Sequence, residues 1–130
     1  MKHRQPAILV VDDEIAFHDL VRVIFGSTRE VVGVTGVEEA LRLLRKGDIG
    51  IVLLDVHLPT RSGLDLLQVL SRSPSAPPVI VVTADTSSRI SRQAEMLGAV
   101  NTVSKPIVPR QLRRMVDFCE NARRYQPVPA

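Results

Sequence analysis

The chain has a single cysteine among its 130 residues. Cys119 therefore has no internal partner, a disulfide framework is excluded, and nothing else points to an oxidising compartment. No apolar run approaches the roughly 20 residues that a bilayer span requires, which leaves a soluble, non-membrane domain as the expectation. The basic start MKHRQP leads into a short apolar stretch that runs straight into Asp12-Asp13-Glu14. No small-residue cleavage site follows, so a signal peptide is rejected and a cytoplasmic location is expected. Neither a G-x-G-x-x-G pattern nor a P-loop occurs, which argues against a nucleotide-binding domain. Zinc-finger spacings and aromatic RNA-binding motifs are also missing. Of the 17 basic residues, 14 are arginine, but they are scattered along the chain. The net charge of +3 thus describes a surface, and no direct nucleic-acid contact is expected.

What is present is a patterned apolar content of 45%, enough for a real core in one domain. Ala7–Val11, Ile51–Val56 and Val79–Thr83 are nearly continuous aliphatic runs without alternation, the pattern of strands buried on both faces. Weaker strands are expected at Glu30–Val34 and Val100–Ser104. Phe17, Leu20, Val21, Ile24 and Phe25 repeat at the spacing of one helix face, as do Val37, Ala40, Leu41 and Leu44. Thr35 followed by Glu38 fits a capping box opening that second helix. Leu64, Leu67 and Leu70 mark a third helix after a Pro59–Gly63 loop. Ile90, Ala94 and Leu97 mark a fourth, ended by Gly98. Leu112, Met115, Val116 and Cys119 mark a fifth that runs toward Tyr125, with Pro127 and Pro129 ending any continuation. The core is expected over about residues 7–125, with a short proline-containing tail at 126–130. Five strand–helix alternations, with neither an internal repeat nor a linker, define an α/β domain with right-handed crossovers.

In such sheets ligands sit beyond the carboxyl ends of the strands, so the residues after each apolar run decide the chemistry. The first strand ends in Asp12-Asp13, the third at Asp55, the fourth at Thr83-Ala84 and the fifth at Lys105-Pro106. Three gathered carboxylates repel one another unless a cation lies among them. With oxygen ligands and no Cys or His cluster, the expected ion is hard, and magnesium is the natural choice, with manganese as a substitute. A lysine and a hydroxyl at the same edge complete a site suited to a phosphoryl group.

The segments ILVVDDE, IVLLDVHLPTRSGLDLL, VIVVTA and SKP, in this order and each at a strand end, resemble a response-regulator receiver domain over almost the whole chain. The resemblance implies a flavodoxin-like, five-stranded parallel sheet of order 2-1-3-4-5 between helices. It implies that Asp55 takes a phosphoryl group from a phosphohistidine, carried by a sensor histidine kinase or a histidine phosphotransfer protein. Asp12, Asp13, Asp55 and the backbone carbonyl of His57 would hold magnesium. Lys105 would pair with the phosphoryl group, Thr83 would be the switch hydroxyl, and the Ala84 N–H would assist. The bond to Pro106 is usually cis in this family. His57 and Asp85 occupy the places that tune phosphoryl loss.

Each residue also has a structural alternative. Asp12-Asp13 suits a helix start, Asp55 a turn, Thr83 a strand end and Lys105 a solvated loop. What these leave unexplained is why every strand entering the site ends in a residue that phosphotransfer uses. An aspartate-nucleophile phosphatase would carry D-x-D after the first strand, where this chain has Asp12-Asp13-Glu14. A phosphorylation-independent interaction module remains the second alternative. Thr102 keeps it open for the output step, because it stands where many receivers carry a tyrosine or phenylalanine that turns inward. The expectation is a signalling domain whose only catalysis is its own phosphorylation and dephosphorylation. It would act through the fourth helix, fifth strand and fifth helix on an output domain, a target protein or a second copy. Arg89, Arg92, Arg110, Arg113 and Arg114 are placed on that face, as solvated residues or as a docking patch. His3 and His18 are expected at the surface. The chain stops soon after the fifth helix with no room for an output domain, so a stand-alone regulator and a piece of a longer protein both stay open.

Overall fold

The structure, a computed structural model, describes residues 5–85 and 87–124. Along the chain come β1 (Ala7–Val11), α1 (Ile15–Phe25), β2 (Val31–Val34), α2 (Val37–Lys46) and β3 (Ile49–Leu54). They are followed by α3 (Gly63–Ser71), β4 (Val79–Thr83), α4 (Ser88–Met96), β5 (Asn101–Ser104) and α5 (Pro109–Arg124). The five strands form one sheet in the order β2-β1-β3-β4-β5, parallel throughout. This is the expected flavodoxin-like arrangement.

Parallel strands need covering on both faces, and the alternation of side chains along them decides what each face meets. Leu9, Val11, Val52, Leu54, Val79 and Val81 point to one side, where they pack with Val37 and Ala40 of α2, Leu66, Leu67 and Leu70 of α3, and Ala94 of α4. Ile8, Val10, Ile51, Leu53, Ile80 and Val82 point to the other, against Phe17, Val21, Ile24 and Phe25 of α1 and Leu112, Val116 and Cys119 of α5. The periodic stripes read from the sequence are these buried faces, with Leu66 joining Leu67 and Leu70 as the fully buried side chain of α3 while Leu64 is half-buried.

Several boundaries differ from expectation. β3 begins at Ile49 and stops at Leu54, because β1 pairs it from Ala7 onward through a register shift. β2 and β5 each start one residue late. The capping box does not form. Gly36, in an extended conformation, is the residue that precedes α2, and it carries no side chain to cap with. Thr35 sits one place too early and instead donates its hydroxyl to Glu39 Oε1 at 3.2 Å. The tail at 126–130 and Tyr125, Pro127 and Pro129 lie outside the described residues, as does His3.

Because β1 sends its chain to one side and β3 to the other, the loops leaving these adjacent strands diverge and open a crevice at their carboxyl ends.

Candidate functional site

Asp12, Asp55 and Lys105 at that crevice are each held by a backbone bond that extends the sheet one step past its strand. The Asp12 N–H donates to Val34 O at 3.0 Å, the Asp55 N–H to Val11 O at 2.9 Å, and the Lys105 N–H to Thr83 O at 2.9 Å. Their side chains therefore leave a rigid edge and converge. Carboxylate oxygens of Asp12, Asp13 and Asp55 all lie within 4.8 Å of one another, on the scale of one hard cation's oxygen shell, roughly 4–5 Å across. Asp12 and Asp55 are buried and Asp13 is exposed. The donor set, all oxygen and all anionic, fits magnesium or manganese and offers nothing to a soft metal.

Lys105 offsets the repulsion. Its Nζ donates to Asp12 Oδ2 and Glu14 Oε1, each at 2.7 Å, and to Asp55 Oδ2 at 3.3 Å. It also stands 5.0 Å from the centre of the Phe17 ring, whose face attracts a cation. Burial works against the ammonium charge, yet the bonds to Asp12 and Glu14 outweigh it and hold the Lys105 pKa above its ordinary value. Burial raises the Asp12 pKa despite the Lys105 bond. The exposed Glu14 is lowered by its bond to Lys105. Lys105–Pro106 is a cis peptide bond.

On the opposite lip the His57 N–H donates to Asp55 Oδ1 at 3.0 Å, and the His57 ring Nε2 meets Asp85 Oδ2 at 2.7 Å. The two thus bridge the loops after β3 and β4. The His57 bond, helped by the Ser87 N–H, pulls the Asp85 carboxyl down to about 2. Thr83 is buried, and its hydroxyl accepts the Asp85 N–H at 3.2 Å. Ala84, next in the chain, is exposed.

Thr102 lies apart from this cluster. It is in register with Val81, two positions short of Thr83. It lines a groove of about 550 Å³ with Asn101, Arg114, Met115 and Phe118, and its buried hydroxyl has no hydrogen-bond partner among the described residues. The basic face also divides. Arg114 lines that groove, but Arg113 turns to α1, donating to Ile24 O and standing 5.3 Å from the Phe25 ring.

Four residues escaped the sequence reading. Glu14 is the third anion on Lys105, and its place beside the acidic pair was the available signal. Phe17 belongs to the apolar stripe of α1, and nothing in the stripe marks it as the ring beneath the lysine. His18, expected at the surface, is 3% exposed and sits behind Asp12, with Nε2 2.7 Å from the Asp12 carbonyl oxygen. A short polar residue in an apolar stripe gives no sign of a backbone carbonyl beside it. Gly63 opens α3 directly over Asp55, where an added Cβ would fall 2.2 Å from the Asp55 carbonyl oxygen.

Fold and site together define a receiver, and comparison with known proteins agrees. Residues 8–117 match the response regulator receiver domain family, and the chain belongs to it. It is 34% identical over 114 residues to the response regulator protein PilR of Pseudomonas aeruginosa, covering 87% of this chain and 25% of PilR. It is 35% identical over 106 residues to the response regulator SaeR of Staphylococcus aureus, covering 81% of this chain and 46% of SaeR. The chain thus spans a quarter to a half of the length of these relatives. Among solved structures, a CheY-like receiver domain protein of Methanospirillum hungatei superposes with a TM-score of 0.79 at 27% identity, over 89% of this chain and 97% of that one. The receiver domain of a Vibrio parahaemolyticus LuxO repressor protein gives 0.86 at 22% identity, over 92% and 93%, a likeness of fold. Among the described residues no helix is long and apolar enough to cross a membrane.

Proposed function

We propose that this domain accepts a phosphoryl group on Asp55 and uses the modification as a switch. The observation that carries this is the convergence of Asp12, Asp13 and Asp55 at the carboxyl edge of the sheet, with Lys105 bonded to Asp12 and Asp55. An Asp55 carboxylate oxygen attacks the phosphorus of a phosphohistidine on a sensor histidine kinase or histidine phosphotransfer protein. The O–P bond forms, the N–P bond breaks, and its electron pair stays on the donor imidazole. Asp12, Asp13, Asp55 and the His57 carbonyl would hold magnesium, or manganese in its place, and the ion would supply positive charge against the phosphoryl oxygens. Lys105 is already charged and within reach, so it exchanges its carboxylate partners for a phosphoryl oxygen. The Thr83 hydroxyl and the Ala84 N–H take the remaining oxygens. In the later hydrolysis water attacks phosphorus, the Asp55 O–P bond breaks with its electron pair left on the carboxylate, and inorganic phosphate leaves carrying the water's oxygen while a proton passes to solvent. His57 and Asp85, bridged across the mouth, govern the approach of that water and tune the lifetime.

Movement of Thr83 toward the phosphoryl group releases the Asp85 N–H from its hydroxyl and changes the start of α4. With Thr102 in place of an aromatic, the signal passes through this β4–α4 loop to the α4–β5–α5 face. An output domain, a separate target or a second copy of the chain would be the partner there. The relatives' greater length favours an output domain. We place the protein in the cytoplasm, with the kinase's phosphohistidine. Intact-mass spectrometry after incubation with magnesium and acetyl phosphate tests the reading, with Asp55→Asn beside it. One added phosphoryl group, dependent on magnesium and absent from the variant, is expected. A folded protein that gains no mass would refute it.

A further inference from the structure

We propose that His18 is a positioning residue, which sets the geometry of the acidic pair from behind through the peptide that joins Asp12 to Asp13. The inference rests on the reading of that pair as a magnesium site.

Every polar group of Asp12 is tied down. Its N–H donates to Val34 O, Oδ1 accepts the Glu14 N–H at 2.9 Å, and Oδ2 accepts Lys105. Its carbonyl oxygen accepts from His18 Nε2 at 2.7 Å. A carbonyl oxygen can only accept, so Nε2 carries the proton. That carbonyl belongs to the peptide that leads into Asp13, so the imidazole fixes the plane from which the Asp13 side chain departs. Asp13 is the exposed member of the cluster and, among the described residues, has no carboxylate hydrogen bond to compare with those of Asp12. Its direction depends on its backbone.

The ring itself is locked. His18 is 3% exposed, and its far edge lies against Gly33 of β2, the residue in register with Val10. A Cβ at Gly33 would fall 2.2 Å from Nδ1 and 2.9 Å from both Cγ and Cε1. The glycine in an otherwise all-valine strand is explained by the room this ring needs. An apolar side chain would serve packing alone, and the donor is what its presence adds. Magnesium tolerates little departure from octahedral geometry, so a small rotation of the Asp12–Asp13 peptide lowers affinity. Outer partners of metal ligands are commonly worth tenfold or more in binding.

The test is Mn²⁺ binding to the full chain, read as the loss of the free-ion EPR signal, with thermal melts to confirm folding. His18→Met fills the space without donating and is expected to weaken Mn²⁺ about tenfold. His18→Gln, whose amide can donate from a similar distance, is expected to recover most of that loss. Gly33→Ala pushes the ring aside without removing it and should weaken binding as His18→Met does. It carries the test if His18→Met does not fold. Wild-type affinity in both His18→Met and Gly33→Ala, with affinity lost in Asp13→Asn, would overturn the role of His18 and leave the metal site standing. A wild-type chain that binds Mn²⁺ no better than Asp13→Asn would overturn the metal site and this inference with it.

Discussion

Lys105→Met removes the cation that three carboxylates share, and its cost follows from their burial. The Asp12 side chain is fully buried and that of Glu14 is 62% exposed. Stripping one partner from a buried ion pair costs about 3–5 kcal/mol, whereas the exposed arm is screened by water and adds little. Asp12 can escape by taking a proton, which sets a ceiling. From an ordinary value of 3.8, at about 1.4 kcal/mol per pH unit, that ceiling is roughly 4 kcal/mol at pH 7 and roughly 2 kcal/mol at pH 5. Burial already raises Asp12 above its unfolded value, and loss of the lysine raises it further. A carboxyl raised in the native state binds its proton more tightly there than in the unfolded chain. Stability is therefore gained as pH falls through the native value and lost as pH rises through it. Thermal melts in EDTA should show a deficit of about 3 kcal/mol near pH 7, a drop of roughly 10 °C for a domain of this size, shrinking toward pH 5. Magnesium should restore more stability to the variant than to the wild type, since the ion then supplies the charge the lysine had supplied. Coincident melts in EDTA, or a deficit that grows on acidification, would refute this account.

Four further outcomes follow from other contacts. His57→Ala should return the Asp85 carboxyl from about 2 toward its ordinary value of 3.8, read by carboxyl ¹³C NMR. Because the native value is depressed, the stability Asp85 contributes is present above 3.8 and lost as pH falls through about 2. Replacing both His57 and Asp85 should change the phosphoryl lifetime at Asp55, and an unchanged lifetime would remove their tuning role. Gly63→Ala drives a methyl into the Asp55 carbonyl, so denaturant melts should show a loss of about 1–3 kcal/mol, with slower phosphorylation. Glu120→Ala strips the partner from Arg29, whose side chain is 3% exposed, and should cost about 3 kcal/mol by urea unfolding without altering phosphorylation at equal folded fraction.

Much of this protein was legible in one dimension because its main constraints are local. Strands buried on both faces must be continuously apolar, so β1, β3 and β4 were visible as runs, and the helix stripes followed from a fixed period. A parallel α/β sheet puts its strand ends on one edge, so Asp12, Asp55, Thr83 and Lys105 could be gathered from the sequence alone. What the tertiary structure decided is what reaches across between elements. The Lys105 bonds to Asp12 and Glu14 span more than ninety residues, and no local pattern encodes such a pairing. His57 and Asp85 became a bridge only when the loops after β3 and β4 were laid side by side. Arg113 and Arg114 are neighbours in the sequence, yet the helix turns them about 100° apart, so Arg114 lines the β5 groove while Arg113 reaches α1. His18 looked like a surface residue because polarity was the only thing the sequence disclosed about it. Packing β2 against α1 put Gly33 beneath its ring and the Asp12 carbonyl at its tip, and burial then made its one proton donor consequential.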